Sequence, residues 1–282
     1  MRISGHFRLL SAKGLSCCIG LAVHVVGAVH GQNVITLRDG NSTAEIDPYS
    51  QRGVFQWNDS QEDLLDQKWC WYRTGGTVPQ QSIDRISTPV VSLYGTREAS
   101  ISYTANNFIL TVDYLLTGGP VIGPPGQSPN SDLGESIRIQ NTSNRALEFH
   151  FFQYTHSDFP AMNWVQLGRN LRGFFNDAFQ AAGDGGLTET ITTPGAVHGE
   201  VDFAPATLYR LNNISGYNLN DNAGPLGPED VAYAFQWDLN IAPGSSVLLS
   251  MDTYRSVLIP EPSAAALLSC GLVLWAVRRF SK

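Results

Sequence analysis

The chain has 282 residues, and its charges are unevenly distributed. Six of its 18 basic residues and one of its 25 acidic residues lie in the two ends, 1–31 and 259–282. The middle therefore has 12 basic and 24 acidic residues, a net charge of −12. Such an acidic surface repels phosphate backbones and excludes nucleic acid as a partner. Residues 32–258 are numerous enough to bury a sizeable core, and we predict one domain there.

Residues 1–31 have the order of an export signal. Three basic residues precede an apolar stretch over residues 15–29, and the small residue Gly31 follows. An apolar stretch of this length is short for a membrane span, so a signal peptide is favoured over an uncleaved anchor. We predict cleavage near Gly31.

Cysteine is sparse in the middle of the chain. Cys70 is the only cysteine between residues 32 and 258, so no disulfide can form within this domain. A zinc site built on paired cysteines is excluded for the same reason. The domain must be stabilised by burial of its core, and Cys70 is expected to be a small buried residue.

The C-terminal end combines a stiff motif, the apolar stretch 264–277 and a basic terminus. The prolines prevent the motif from continuing a helix. The apolar stretch would span roughly 21 Å as a helix, which is short for a bilayer. The basic terminus would stay on the cytoplasmic side. The residues of the motif and the basic end are Pro260, Glu261, Pro262, Arg278 and Arg279.

This tripartite end resembles the PEP-CTERM sorting signal of Gram-negative bacteria that make extracellular polysaccharide. The resemblance implies that an exosortase recognises and processes the tail. It also implies passage through the inner membrane, then delivery to the cell surface or extracellular matrix, with extracellular polysaccharide as a candidate partner. The alternative is a plain C-terminal membrane anchor. The middle of the chain is similar to a recurring type of ectodomain in such proteins, on residues 69–73, 136–143, 149–154, 234–238 and 241–245, but this similarity implies no activity.

Residues 32–258 repeatedly alternate apolar and polar side chains with a period of two. Ala99, Ile101 and Tyr103 form one apolar face, and Tyr233, Phe235 and Trp237 form another. This period is typical of half-buried strands. Between such stretches lie loops rich in glycine, proline and asparagine, at 118–130, 141–145 and 220–228. We predict an all-β sandwich of jelly-roll or Ig-like type, with a short hairpin at 141–145 and one helical turn within 59–66.

Aromatic residues offer one candidate binding surface. A flat row of aromatic rings could stack on the apolar faces of sugars, although large aromatic side chains are first of all core material. Trp69 and Trp71 have the same parity and would share one face of a strand. The candidate platform consists of Trp57, Trp69, Trp71, Tyr72 and Trp164.

Polar residues offer two candidate metal sites. His150, His156 and Asp158 are close in sequence and could bind a transition metal, but they are equally compatible with polar strand edges. Oxygen ligands around the loop 220–228 could bind calcium, although turn formation explains the same residues. The calcium candidates are Asp221, Glu229 and Asp230. No cofactor is expected.

Sequence motifs for catalysis are missing. The chain contains neither the G-x-S-x-G nor the H-E-x-x-H motif. Acid pairs at Asp63/Asp66 and Glu229/Asp230 could serve glycoside hydrolysis, but their positions in space cannot be inferred from the sequence. We predict a non-enzymatic surface protein that is adhesive or binds glycans. The alternatives are a secreted carbohydrate-active enzyme and a structural matrix component without a ligand.

Overall fold

A computed structural model describes residues 34–59, 63–119, 131–157, 164–182 and 185–257. The predicted signal peptide and the sorting tail lie outside these residues. The elements are, in chain order, β1 (Ile35–Asp39), β2 (Ser42–Asp47), β3 (Gly53–Asn58), β4 (Gln67–Thr74), β5 (Gln81–Ser82), a 3-10 helix (Ile83–Arg85), β6 (Val90–Tyr94), β7 (Glu98–Thr104), β8 (Phe108–Gly118), β9 (Ser131–Asn141), β10 (Leu147–His156), β11 (Trp164–Arg169), β12 (Phe175–Ala182), β13 (Gly185–Thr193), β14 (His198–Phe203), α1 (Ala204–Asn213), β15 (Val231–Ile241) and β16 (Ser246–Val257). Neither helix in the described ranges is long and apolar enough to cross a membrane.

Within the described residues, the strands form two eight-stranded sheets. Sheet 1 has the order β1-β2-β3-β4-β10-β15-β14, with β5 paired to β4. Sheet 2 has the order β11-β12-β13-β16-β9-β8-β7-β6. Neighbouring strands are antiparallel except for a short parallel contact between β3 and β4. The prediction of an all-β sandwich is confirmed.

The predicted Ig-like or jelly-roll topology is replaced by a larger one. An Ig-like domain has seven to nine strands and a jelly roll has eight, whereas each sheet here has eight strands by itself. The alternation in sequence shows that a strand has one buried face, but it does not say how many strands share a sheet. That number depends on pairing between distant parts of the chain.

The two sheets bury their apolar faces against each other, as the alternation predicts. Ala99, Ile101 and Tyr103 of β7 are fully buried, and the polar residues between them are more exposed. The buried faces of β8, β9 and β16 follow the same rule, whereas β15 is buried on both faces over residues 231–237. Cys70 is also buried, as expected. Hydrophobic burial along these strands is therefore the main source of stability.

The loop 141–145 differs from the predicted hairpin because the strands on its two sides belong to different sheets. β9 lies in sheet 2 and β10 in sheet 1, so the loop crosses from one sheet to the other. The amide of Asn141 bridges two strand ends by donating to the carbonyls of Arg145 and Ile241, at 2.7 and 2.8 Å. Asn and Ser are frequent in both kinds of loop, so composition alone could not distinguish them.

The outer face of sheet 1 is covered in part by α1, which the sequence did not predict. Pro205 lies in its first turn, where a missing N–H has no cost. Ala204, Thr207 and Leu211 form its buried side. The hydroxyl of Tyr154 in β10 donates to the carbonyl of Ala204 at 2.9 Å. The helical turn predicted within 59–66 is absent from the described part of that segment, residues 59 and 63–66.

A charged cluster is buried between the sheets. Lys68 Nζ lies 3.1 Å from Glu189 Oε1 and 3.6 Å from Glu135 Oε2, and all three side chains are at most 2% exposed. Tyr233 donates to Glu189 at 2.6 Å, and Gln153 donates to Glu135 at 3.1 Å. Burial raises the pKa of Glu135 to about 7, although the charge of Lys68 opposes the shift. This cluster ties β4, β9 and β13 together.

Candidate active site

The outer face of sheet 1 brings charged side chains from neighbouring strands together. His150 in β10 pairs with Arg73 in β4 and with Asp238 in β15. Even-numbered positions of β10 and β15 face away from sheet 2, because their odd-numbered neighbours, such as Phe151 and Trp237, are packed in the core. The strand register therefore places these three polar side chains side by side.

His150 lies between two carboxylates. Its Nδ1 is 2.6 Å from Asp238 Oδ1, and its Nε2 is 3.1 Å from Glu148 Oε1. An ionised carboxylate only accepts hydrogen bonds, so both contacts are hydrogen bonds only when each ring nitrogen carries a proton. His150 therefore bridges the two acids through its two ring nitrogens.

His198 at the start of β14 continues this arrangement. Its Nδ1 is 3.1 Å from Asp221 Oδ1, and its Nε2 is 3.6 Å from Asp238 Oδ2. Asp221 adopts a positive φ of 64°, which is uncommon for a residue other than glycine. We call this alternating set the acid–histidine row, and it consists of Glu148, His150, Asp238, His198 and Asp221.

Asp238 is the centre of the acid–histidine row. Burial alone would raise its pKa, but hydrogen bonds from Gln236 and His150 and the nearby charges of His150 and His198 outweigh this effect and lower it. Gln236 Nε2 donates to Asp238 Oδ1 at 2.8 Å. Asp238 is therefore held as a carboxylate that orients the imidazole of His150.

Arg73 lies beside the acid–histidine row in a buried position. It donates to the carbonyl of Tyr217 and to the side chain of Asn218, both at 2.5 Å. Its guanidinium lies 5.3 Å from the centre of the Phe152 ring. Burial lowers the pKa of Arg73, and the charges of Asp238 and Glu148 oppose the shift. Arg73 thus connects sheet 1 to the segment 217–222 that covers it.

Glu200 of β14 also holds the segment 217–222 in place. Its side chain is completely buried. It accepts hydrogen bonds from Thr207 and Arg210 of α1, from the hydroxyl of Tyr217, and from the backbone N–H of Asn220. The segment 217–222 supplies Asp221 to the acid–histidine row, so Glu200 positions one end of that row.

A cavity of about 450 Å³ adjoins Asp238. Its wall includes the turn between β11 and β12, with Asn170, Arg172 and Phe174, and the segment 192–195 before β14. The volume lies within the range of small-molecule sites. The cavity gives a small ligand access to Asp238 and offers it an aromatic ring, an amide and a cation.

The predicted aromatic platform is wrong for most of its members. Trp57, Trp69 and Trp71 are at most 1% exposed. Their indole N–H groups donate to the buried Ser131 and Ser82 and to Asn212 of α1. Tyr72 is half-buried and stacks on the ring of Phe149 at the edge of the core, with 5.7 Å between the ring centres. Only Trp164, in sheet 2, is exposed among the five. The large apolar area of these rings is used to build the core.

The polar candidates are also separated by the fold. His156 lies at the far end of β10 from His150 and bridges Asp66 and Asp230, with contacts of 2.9 and 2.6 Å. Asp158 lies outside the described residues. Asp63 Oδ1 accepts hydrogen bonds from two backbone N–H groups instead of forming an acid pair with Asp66.

The calcium candidates do not converge on a common point. Asp221 contacts His198, Asp230 contacts His156, and Glu229 is exposed. Among the residues that the structure describes, no three or more His, Cys, Asp and Glu side chains are arranged to hold a metal ion. The sorting motif at 260–262 and the terminal arginines lie outside these residues.

The acid–histidine row was not recognised in the sequence as a site, although a signal for it exists. Glu148 and His150 are polar positions of one alternating strand, and Asp238 is a polar position of another. Titratable residues on the polar side of a strand usually face solvent, so their presence in the sequence does not by itself indicate a functional site. Only the pairing of β10 with β15 brings them into contact.

Neither a known protein family nor a curated protein matches the sequence. Solved structures do match the fold. One is a protein of Escherichia coli K12 described as a "putative aldose 1-epimerase", with a TM-score of 0.53 and 10% identity, covering 80% of this chain and 99% of that one. Others are galactose mutarotase-like proteins of Lactobacillus casei and Clostridium acetobutylicum, with TM-scores of 0.46 and 0.48 and 10% identity. They cover 79% of this chain and 100% and 95% of their own.

The first of these matches shows that the two proteins share a fold. It overturns the prediction that the domain is not an enzyme, because the shared fold is that of a protein described as an enzyme. The sequence-based prediction rested on missing motifs for nucleophiles and metals. Acid–base chemistry on strands needs no such motif, so their absence was a poor guide.

Proposed function

We propose that this protein is a carbohydrate-processing enzyme that interconverts the anomers of an aldose by acid–base catalysis. The observation that carries the proposal is the acid–histidine row beside the cavity at Asp238. The fold shared with the described epimerase supports the same reading. Among the functions predicted from the sequence, the secreted carbohydrate-active enzyme is therefore preferred to an adhesive or purely structural protein.

Anomer interconversion requires two proton transfers at the ring. A base takes the proton of the hydroxyl on C1 while an acid donates one to the ring oxygen, and the bond between C1 and the ring oxygen breaks. The open aldehyde rotates and closes on its other face, and both protons return. No atom or electron is gained or lost. Two groups that exchange protons at neutral pH are sufficient for this reaction.

Glu148 and His198 are the groups best placed to exchange protons with a sugar. The Glu148 side chain is 60% exposed, and that of His198 is 26% exposed. His198 Nε2 is too far from Asp238 for a hydrogen bond, so it is available to a substrate hydroxyl. His150 orients Glu148, and Asp221 orients His198, by the contacts described above.

The test is a comparison of two histidine variants in the purified full-length protein. His150→Asn removes the imidazole that bridges Glu148 and Asp238. His156→Asn is the matched control. His156 lies on the same strand as His150 and also bridges two carboxylates, but it lies away from the cavity. NMR would follow the return of pure α-glucose and α-galactose to anomeric equilibrium. We expect acceleration by the wild type, roughly a hundredfold loss with His150→Asn, and none with His156→Asn.

The proposal fails if the wild type accelerates anomer exchange for neither sugar. It also fails if both histidine variants lose activity equally, since a loss shared with His156→Asn would reflect folding rather than chemistry. Circular dichroism on each variant separates these effects.

We further propose that this enzyme is exported and delivered by exosortase-type sorting. Residues 1–31 and the motif at 260–262 support this proposal on sequence grounds. The extracellular setting would expose the enzyme to sugars released from polysaccharide.

A further inference from the structure

The outer face of sheet 2 carries a row of small polar side chains that crosses four strands. Ser100 of β7 pairs with Asp113 of β8, Asp113 pairs with Ser136 of β9, and Ser136 pairs with Ser250 of β16. All four side chains are half-buried. They face away from sheet 1, because neighbours such as Ile101 are buried in the core. We call this row, Ser100, Asp113, Ser136 and Ser250, the serine groove.

Larger side chains stand on both sides of the serine groove. One side is lined by Glu98, Leu115 and Asp252, and the other by Thr111 and Arg138. Small residues between these larger ones leave an open depression of about 740 Å³. The depression therefore runs across the strands, and its floor is made of hydroxyl groups and one carboxylate.

The polar groups of the serine groove are available to a ligand. None of its four side chains forms a hydrogen bond with another residue in the part of the chain that the structure describes. Adjacent strands are ~4.8 Å apart, so the groove repeats its donors and acceptors at that interval. This interval is close to the length of one sugar unit in an extended glycan chain. Tyr94, which is 58% exposed at the end of the depression, adds an aromatic ring that can stack on a sugar.

The charges around the groove restrict the ligand further. Glu98, Asp113 and Asp252 contribute negative charge, and Arg138 is the only cation among the described residues that line the depression. Polyanions such as nucleic acids or uronic-acid polymers would be repelled. Hydroxyl groups, in contrast, can donate to the carboxylates and accept from the serines.

We propose that the serine groove binds an extended chain of a neutral polysaccharide. It lies on the sheet opposite to the acid–histidine row, so it is a second site beyond the proposed catalytic function. Such a site would hold the protein on a polymer while the first site acts on free sugars.

The test is native electrophoresis of the full-length protein in gels that contain hydroxyethylcellulose, dextran or polygalacturonate. Ser136→Leu and Ser250→Leu fill the groove without touching the core. Thr188→Leu is the matched control, since Thr188 faces the same side of sheet 2 outside the groove. We expect a neutral polymer to retard the wild type and the control. Filling the groove should weaken binding at least tenfold, and His150→Asn should leave it unchanged.

Several results would overturn the proposal. They are normal mobility of the wild type in both neutral polymers, equal retardation of the groove-filled variants, or stronger retardation by polygalacturonate. Light scattering provides a further check: a dimer that Ser136→Leu dissociates would identify the groove as an interface between two copies. None of these outcomes bears on anomer exchange, so the two proposals can fail separately.

Discussion

The buried cluster around Lys68 allows a strong test of what stabilises the sandwich. Replacing Lys68 with methionine keeps the volume of the side chain but removes the positive charge between Glu135 and Glu189. Both carboxyl groups are fully buried, so no water can replace the lost partner. Each must then either remain charged without compensation or take up a proton.

The cost can be worked out from the burial of these groups. Breaking a buried ion pair by removing one partner destabilises a protein by about 3–5 kcal/mol. If the carboxyls take up protons instead, each costs about 1.4 kcal/mol per pH unit above the ordinary Glu pKa. We therefore expect Lys68→Met to lose about 3–5 kcal/mol of the free energy of unfolding at pH 7.5, and about 1 kcal/mol at pH 5.

The sign of this pH dependence follows from Glu135. Its folded pKa is raised to about 7, so its contribution favours the folded state below its unfolded pKa and is lost as the pH rises through 7. Removal of Lys68 takes away the charge that opposes this shift. The deficit of the variant should therefore increase with pH between 5 and 7.5.

The assay is urea denaturation of wild type and variant at pH 5, 6 and 7.5. A triple variant, Lys68→Met with Glu135→Gln and Glu189→Gln, serves as the control. It should recover most of the loss, because no uncompensated charge remains. An equal midpoint for wild type and Lys68→Met at pH 7.5 would refute the reasoning, as would a deficit that is larger at pH 5.

Two further predictions concern the active site and the tail. Glu200→Gln should lower the rate of anomer exchange about tenfold, because an amide cannot accept all the hydrogen bonds that position residues 217–222. The control variant, Asp202→Asn, should have little effect on this rate. Polarimetry measures the rate of anomer exchange for both variants. Equal rates for Glu200→Gln and wild type would contradict the positioning role of Glu200. Changing residues 260–262 to alanine should leave unprocessed protein in the inner membrane, while wild-type surface protein lacks residues 264–282. Fractionation with intact-mass measurement checks this, and removal of the tail from both proteins would show that the motif is not a sorting signal.

Strand patterns were read correctly from the sequence where one face of a strand is buried and the other is not. Residues 99–103 are an example, since their apolar positions recur every second residue. The pattern is less informative in β4 and β10, where both faces are buried. There Trp69 and Trp71 face away from the opposite sheet and are buried by the 3-10 helix and α1. The local sequence around the two tryptophans does not show that these elements cover them.

The sequence by itself determined the class of the domain, its independence of disulfides and its acidic surface, because these depend on composition and local periodicity. Tertiary structure decided everything that depends on contacts between distant residues. The number of strands in each sheet, the crossing at 141–145 and the neighbourhood of His150 and Asp238, 88 positions apart, are set by strand register. Register follows from the packing of whole sheets, and a one-residue shift would turn each polar side chain to the opposite face.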